Sequence, residues 1–196
     1  MPSPRKPASP PVETEAKIRV AALSAVRRRL RTEGARRLTP RLLESNTLFD
    51  RLDGGLRAAG RSFRVRRYGA AGSVTLKGPV QLSGGLKSRL ELETAVAAPE
   101  VLAEILTQLG YLPLFRYEKF RETWSLRGTV VCLDETPIGS FVEVEGRESS
   151  IRRAVAALGL DLVDSLTDSY PALWVASGRT GHMTFPEDRV AARRRP

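Results

Sequence analysis

The sequence predicts an α+β fold: an antiparallel sheet of about eight strands, enough to close into a barrel, with helices packed outside. Two observations predict it. Stretches with a two-residue alternation of apolar and charged residues outnumber helical stretches and follow one another as hairpins, with the helical stretches in the gaps between them. The polar positions of those strands carry full charges of both signs rather than the Ser, Thr and Gln of an ordinary solvated face.

Each element has its own warrant. Val12–Val20 alternates and reads as a strand. Leu23, Val26 and Leu30 sit at helical spacing, giving a helix over 23–33 stopped by Gly34. Strands follow at 42–50 and 62–68, a glycine turn at 69–72, then strands at 73–77 and 88–96. Pro99 suits a helix start, and Val101, Leu102, Ile105, Leu106 and Leu109 form one face before Gly110. A long strand at 115–126 turns at Arg127-Gly128 into 129–134, and 141–146 is one more strand. Ser149 or Ser150 can cap a helix carrying Ile151, Val155 and Leu158 and ended by Gly159, and 169–175 reads as a last short helix.

The 196 residues divide into a Pro/Ser leader over 1–11, expected to be disordered, one domain over 12–176, and a flexible basic tail over 177–196. There is no apolar run long enough for a membrane helix and no secretory signal pattern, so a cytoplasmic location without membrane contact is expected. A single cysteine, Cys132, and a single histidine, His182, exclude a disulfide framework and multi-Cys or His-pair metal sites. Any chemistry falls to carboxylates, lysines, arginines or a bound metal.

The net charge is +10, and all but five of the 32 basic residues are arginine. Excess positive charge suits an anionic partner. The five lysines are more informative because they are scarce, and Lys17, Lys77 and Lys119 all lie on charged strand faces.

Side chains at i, i+2 and i+4 share a strand face. Glu13, Glu15 and Lys17 share one; so do Arg64 and Arg66, Thr75 and Lys77, Arg89, Glu91 and Glu93, Lys119, Arg121 and Thr123, and Glu143 and Glu145. On any one strand this is an ordinary solvated face. If the sheet curls, all six share a lumen, where charges must pair with each other, a metal or a ligand. Carboxylates there hold Mg²⁺ or Mn²⁺, and arginines and lysines hold phosphates.

The motif Glu13-Thr14-Glu15-Ala16-Lys17 is an ExExK strand. With Phe63-Arg64-Val65-Arg66, Thr75-Leu76-Lys77-Gly78-Pro79, Arg89-Leu90-Glu91-Leu92-Glu93, Tyr117-Glu118-Lys119-Phe120-Arg121, Cys132-Leu133-Asp134 and Phe141-Val142-Glu143-Val144-Glu145, it resembles the CYTH family of triphosphate tunnel metalloenzymes. That family includes class IV adenylyl cyclases and thiamine and inorganic triphosphatases. The resemblance runs over residues 12–175 and implies an eight-stranded tunnel. It implies Glu13, Glu15, Asp134, Glu143 and Glu145 as metal ligands and Lys17, Arg64, Arg66, Lys77, Lys119 and Arg121 as a triphosphate cradle. Lys17, Arg64, Lys77 and Arg121 would be catalytic, and Glu91 and Glu93 would complete the acidic lining. The stretch around LFRYEKFRETW and Ser169-Tyr170 looks most like the class IV cyclases, which form cyclic AMP and pyrophosphate from ATP. Hydrolysis of inorganic or thiamine triphosphate uses the same cradle and stays open. So does a non-catalytic polyphosphate or nucleotide binder, although paired carboxylates would only repel a bare anion. Nucleic acid is disfavoured, because the basic faces lack aromatic residues for stacking. A homodimer is compatible with the sequence but not specified by it.

The remaining conspicuous residues have plainer readings. His182 is expected to be exposed and without function, Cys132 a buried structural thiol, and Trp124 and Trp174 packing residues. The arginines at 27, 28, 29 and 31 read as a solvated helix face, and Ser83-Gly84-Gly85 as a flexible loop over a tunnel mouth rather than a phosphate loop.

Overall fold

The computed structural model describes residues 12–69 and 71–186. In chain order the elements are β1 (Val12–Val20), α1 (Leu23–Thr32), β2 (Arg36–Arg51), α2 (Gly55–Ala58), β3 (Ser62–Tyr68), β4 (Ala71–Lys77), β5 (Gln81–Ser83), β6 (Leu86–Val96), α3 (Pro99–Gln108), β7 (Tyr111–Leu126), β8 (Thr129–Thr136), β9 (Gly139–Glu145), α4 (Glu148–Ala157) and α5 (Tyr170–Ala176), with a 3₁₀ turn at Leu162–Asp164.

All strand pairings are antiparallel, in the order β1-β9-β8-β7-β2-β3-β4-β6. The sheet closes on itself where β1 pairs with β6, from Val12 opposite Leu90 to Glu15 opposite Lys87. Eight strands therefore form the barrel, and β5 is an extra strand on β6. Closure removes the exposed edges an open sheet would present.

Two of the three apolar clusters lie outside the barrel, whereas the third, Tyr117, Phe141, Tyr170, Trp174 and Met183, sits on the lumen face, since Tyr117 and Phe141 alternate with Lys119 and Glu143. Val26 and Leu30 of α1 and Ile151, Ala154, Val155 and Leu158 of α4 cover the outer face of β1, β8 and β9 at Ala16, Ile18, Val131, Leu133, Val142 and Val144. Trp124 joins this cluster, as its packing role requires. Leu102 and Leu106 of α3 cover Phe49, Phe63 and Val65. The alternation that sends apolar residues outward sends the charged ones into the lumen.

Several strands exceed the sequence reading by about two residues, and two start well before it. β2 starts at Arg36 and β7 at Tyr111, where strands were expected from 42 and 115. Proline explains both. Pro40 falls in a register shift between Thr39 and Leu42, and Pro113 beside another between Leu48 and Phe49. A proline cannot donate to a ladder, so it reads as a strand boundary, but a bulge accommodates it.

The C-terminal segment departs from the expected flexible tail. Residues 177–186 pack against the barrel, while 187–196 lie outside the described residues, as does the 1–11 leader. Met183 N donates to Arg116 O at 3.0 Å and Glu118 N to Met183 O at 2.8 Å, so the segment lies alongside β7. Met183 is fully buried with Tyr117, Phe141, Tyr170 and Trp174. Phe185 stacks on Phe120 with centroids 5.2 Å apart. Trp174 Nε1 donates to Thr180 O at 3.2 Å. His182 is exposed, as expected, and its Nδ1 accepts from Arg116 N at 3.2 Å. With Met183 and Phe185 its only large apolar residues, the segment is too short in pattern to carry an amphipathic signal, and long-range packing orders it.

Candidate active site

Three groups of side chains line the lumen. The first is acidic. Glu13 and Glu15 project from β1, and Glu15 faces Glu145 of β9 in direct register. Ligand oxygens of Glu13, Glu15 and Glu145 all lie within 4.8 Å of one another. Three like charges this close are unfavourable without a cation. Burial pushes the Glu145 carboxyl up to about 7, against the pull of Arg121 and helped by the charges of Glu13, Glu143 and Glu15. Burial and a hydrogen bond with Glu91 also raise Glu13, although Lys77 opposes them. Lysines brace the rim: Lys77 lies 2.8 Å from Glu13 and 2.6 Å from Glu91, and Lys87 lies 3.2 Å from Glu15.

The second group is centred on Asp134 of β8, which has no solvent exposure. It accepts from Lys119 Nζ at 2.9 Å, from Arg121 Nε and Nη2 at 2.7 and 2.6 Å, and from the Tyr170 hydroxyl of α5 at 2.7 Å. Glu143 contacts Arg121 directly and lies 3.5 Å from Lys17 and 3.9 Å from Lys119. Burial alone would raise Glu143, but Lys119, Arg121 and Lys17 hold it well below the usual carboxylate range. Tyr170 also closes over the cations, with Lys17 Nζ 4.3 Å from its ring centroid. Lys17 Nζ in turn donates to Asp168 O at 3.0 Å, which anchors the turn before α5.

The third group is cationic. Arg64 donates to the Tyr117 hydroxyl at 3.2 Å, to Thr75 Oγ1 at 3.1 Å and to Glu93 at 3.4 Å. Arg66 Nε donates to Asn46 Oδ1 at 3.3 Å and lies 3.8 Å from Glu44. Burial opposes ionisation of Glu44, but Lys119, Arg66, Arg121 and Arg64 together bring it to about 2.

All the site residues expected from the face pattern therefore line one lumen, but they divide differently from the pattern. Glu13, Glu15 and Glu145 gather as a candidate cation site. Asp134 and Glu143 are interleaved with Lys17, Lys119 and Arg121. Glu91 and Glu93 engage Lys77 and Arg64, as the acidic lining would require. Cys132 is buried with its Sγ 4.0 Å from Glu145 Oε1, so it lines the lumen rather than the outer core.

Glu44, Asn46, Lys87, Tyr117 and Tyr170 complete the lumen and were not among the expected site residues. Lys87 and Tyr117 were within reach, since each sits two residues before a flagged position, Arg89 and Lys119, on the same strand face. Glu44 and Asn46 lie on the strand read at 42–50, where Leu42-Leu43 and Leu48-Phe49 break the two-residue alternation.

The donors of the acidic trio fit a hard divalent cation. Mg²⁺ and Mn²⁺ take carboxylate oxygens, and three carboxylates in mutual reach offer a partial shell with room for water or phosphate oxygens. Several buried lumen donors, including Arg64 Nε and Asn46 Nδ2, lack a hydrogen-bond partner among the described residues, as expected where an anion belongs.

The model of the CYTH domain matches residues 12–170. The chain belongs to the CYTH domain family. No curated protein matches this CYTH chain. Solved structures share its fold. A candidate adenylate cyclase from Vibrio parahaemolyticus is 19% identical with a TM-score of 0.74, over 85% of this chain and 99% of that one. The PH1012 protein of Pyrococcus horikoshii is 22% identical with a TM-score of 0.65, over 81% and 96%. A candidate adenylyl cyclase from Hippeastrum, described as having a dominant triphosphatase activity, is 19% identical with a TM-score of 0.66, over 86% and 97%. At these identities the likeness shows the fold. Among the described residues no helix is long and apolar enough to cross a membrane.

Proposed function

We propose that this CYTH protein is a divalent-metal-dependent enzyme that binds a triphosphate in its lumen and cleaves it there. The observation that carries the reading is the separation of charge inside one barrel: a carboxylate trio within 4.8 Å, braced by Lys77 and Lys87, and a cationic group in which Arg64 Nε and the adjoining Asn46 Nδ2 are buried without a hydrogen-bond partner among the described residues. A pure anion binder would gain nothing from the trio, which repels its ligand.

Glu13, Glu15 and Glu145 would hold Mg²⁺ or Mn²⁺, which when bound neutralises phosphate charge and fixes the phosphate oxygens. Arg64, Arg66, Lys77, Lys119 and Arg121 supply fixed positive charge to the chain of phosphates. Because most of them are buried and already oriented by Asp134, Glu143, Glu91 and Glu93, they need little reorganisation as charge develops on the leaving group. Tyr170 over Lys17 and Lys119 excludes water from that side of the lumen.

Cyclisation of ATP is the first reading: the ribose 3′-hydroxyl attacks the α-phosphorus and pyrophosphate leaves. Tyr68 supports it: contrary to the expectation that the basic faces lack aromatic residues, this half-buried ring continues the Arg64 and Arg66 alternation at the end of β3, as Tyr117 does that of Lys119 and Arg121, and offers a base a stacking surface. Hydrolysis of inorganic or thiamine triphosphate is the second reading, in which water attacks the terminal phosphorus. It draws support from the Hippeastrum fold relative.

Incubation of the purified protein with Mg²⁺ or Mn²⁺ and ATP, thiamine triphosphate or tripolyphosphate, with cyclic AMP, pyrophosphate and phosphate measured separately, tests both. Cyclic AMP and pyrophosphate in equal amounts from ATP support the cyclase. Phosphate from tripolyphosphate with no cyclic AMP supports the hydrolase. Binding of all three without turnover would leave a non-catalytic phosphate-binding module.

A further inference from the structure

Asn46 is fully enclosed on the lumen face of β2, directly between Tyr117 of β7 and Arg66 of β3 in the sheet register. Its Oδ1 accepts from Arg66 Nε at 3.3 Å. That contact fixes the orientation of the amide, because a guanidinium can only donate. Nδ2 therefore faces away from Arg66 with two hydrogens, and no partner reaches it among the described residues.

A buried amide donor without a partner is rare in a folded protein and costly to keep. The same condition recurs one side chain away. Arg64 sends Nη1 to the Tyr117 hydroxyl and Nη2 to Thr75 and Glu93, which leaves Nε without a partner. Two orphaned donors thus flank Tyr117. Glu44, two residues before Asn46 on the same strand face, lies 3.7 Å from Lys119 and 3.8 Å from Arg66; its buried Oε2 also lacks a hydrogen-bond partner among the described residues and does not reach Nδ2. The group that would satisfy both donors is an external acceptor.

We propose that Asn46 is a substrate-contacting residue whose Nδ2 donates to a non-bridging phosphoryl oxygen, beside Arg64 Nε. The proposal rests on the lumen being a triphosphate site. It assigns Asn46 a part the cations cannot play. Arginine and lysine attract any phosphate within reach, whereas a neutral amide held at Oδ1 rewards one oxygen in one position and adds no charge. Asn46 would fix where along the lumen one phosphoryl group stops.

The test uses Asn46→Leu and Asn46→Asp, with two readouts. One is the dissociation constant of tripolyphosphate with Mg²⁺ by calorimetry, and the other is the melting midpoint without ligand. Leucine removes the amide at similar size. Aspartate keeps an acceptor for Arg66 and loses only the donor, so it remains informative if the leucine variant folds poorly. Both should weaken tripolyphosphate roughly tenfold or more, the loss of one hydrogen bond to a charged group. The ligand-free midpoint should be unchanged or raised in Asn46→Asp, which removes an unsatisfied donor and keeps the acceptor for Arg66, and unchanged in Asn46→Leu, where the lost Arg66 contact offsets that gain. The leucine variant separates this from simple charge repulsion. Affinity within about twofold of the parent for Asn46→Leu, or a lowered midpoint with unchanged affinity, would mean a structural or water-filled amide and overturn the proposal. If the parent itself does not bind tripolyphosphate, the triphosphate reading falls first and takes this inference with it.

Discussion

Two acidic groups share one lumen and are held in opposite ways. At Glu13, Glu15 and Glu145 the carboxylates face each other; burial raises both Glu145 and Glu13, with neighbouring carboxylate charges adding at Glu145 and the hydrogen bond and charge of Glu91 adding at Glu13. At Asp134 and Glu143 each carboxylate is set between cations, and Glu143 is driven well down. The first arrangement is only partly offset, by Lys77 at Glu13 and Lys87 at Glu15, and suits an added cation. The second is complete as it stands and orients Lys119, Arg121 and Lys17. Identical residue types on neighbouring strands thus divide into a like-charge cluster that fits a cation and a paired group that orients cations, and the placement of the counter-charges decides which is which.

The comparison breaks first at the scaffold. Asp134→Ala leaves Lys119 and Arg121 buried with their main partner gone and frees the Tyr170 hydroxyl. A loss of about 3–5 kcal/mol of unfolding free energy is expected in urea denaturation. Glu145→Gln, by contrast, relieves repulsion within the trio and should leave the metal-free protein at least as stable as the parent. Equal destabilisation by both would erase the distinction between the two groups.

The docked C-terminal segment is a second structural test. Met183→Ala removes a fully buried side chain from the cluster around Tyr170 and Trp174. It should cost about 2–5 kcal/mol, the usual range for truncating a buried methionine. A change within about 0.5 kcal/mol, as for a surface substitution, would show that 177–186 is the dispensable tail the sequence suggested.

A smaller effect concerns pH. Glu145, with its carboxyl at about 7, is protonated below that pH and must lose the proton before it can bind a cation. Mn²⁺ affinity should therefore rise up to about tenfold per pH unit below 7 and level off above it. Glu145→Gln should flatten that profile. The stability signs also differ. Because Glu145 is raised in the folded state, its unfavourable contribution to metal-free stability grows as pH rises from the ordinary glutamate range to about 7. Glu44, lowered to about 2, stabilises the fold above the ordinary range, and that support is lost as pH falls toward 2.

Much of this was legible in the sequence. The barrel and the inward face followed from two-residue alternation on Val12–Val20, Ser62–Tyr68 and the strands that follow, because alternation is a local property. The partition of the carboxylates was not, since it depends on pairing and register: Glu15 meets Glu145 through the long-range β1–β9 pairing, and Asp134 meets Arg121 through the register of the β7–β8 hairpin. Glu44 and Asn46 lay on a strand already read at 42–50, but Leu42-Leu43 and Leu48-Phe49 break its two-residue alternation, so no charged face stood out there. Met183 and Phe185 were missed because a single strand-like pass along β7 has no period to announce it.

The central claim is that the trio holds the metal while the cationic groups hold the phosphates. The most direct test is an anomalous-scattering map of the protein crystallised with Mn²⁺ and tripolyphosphate. The account predicts a peak among Glu13, Glu15 and Glu145, with phosphate density against Arg64, Arg66, Lys77, Lys119 and Arg121. A Mn²⁺ peak on Asp134 and Glu143, or density only outside the lumen, would contradict it.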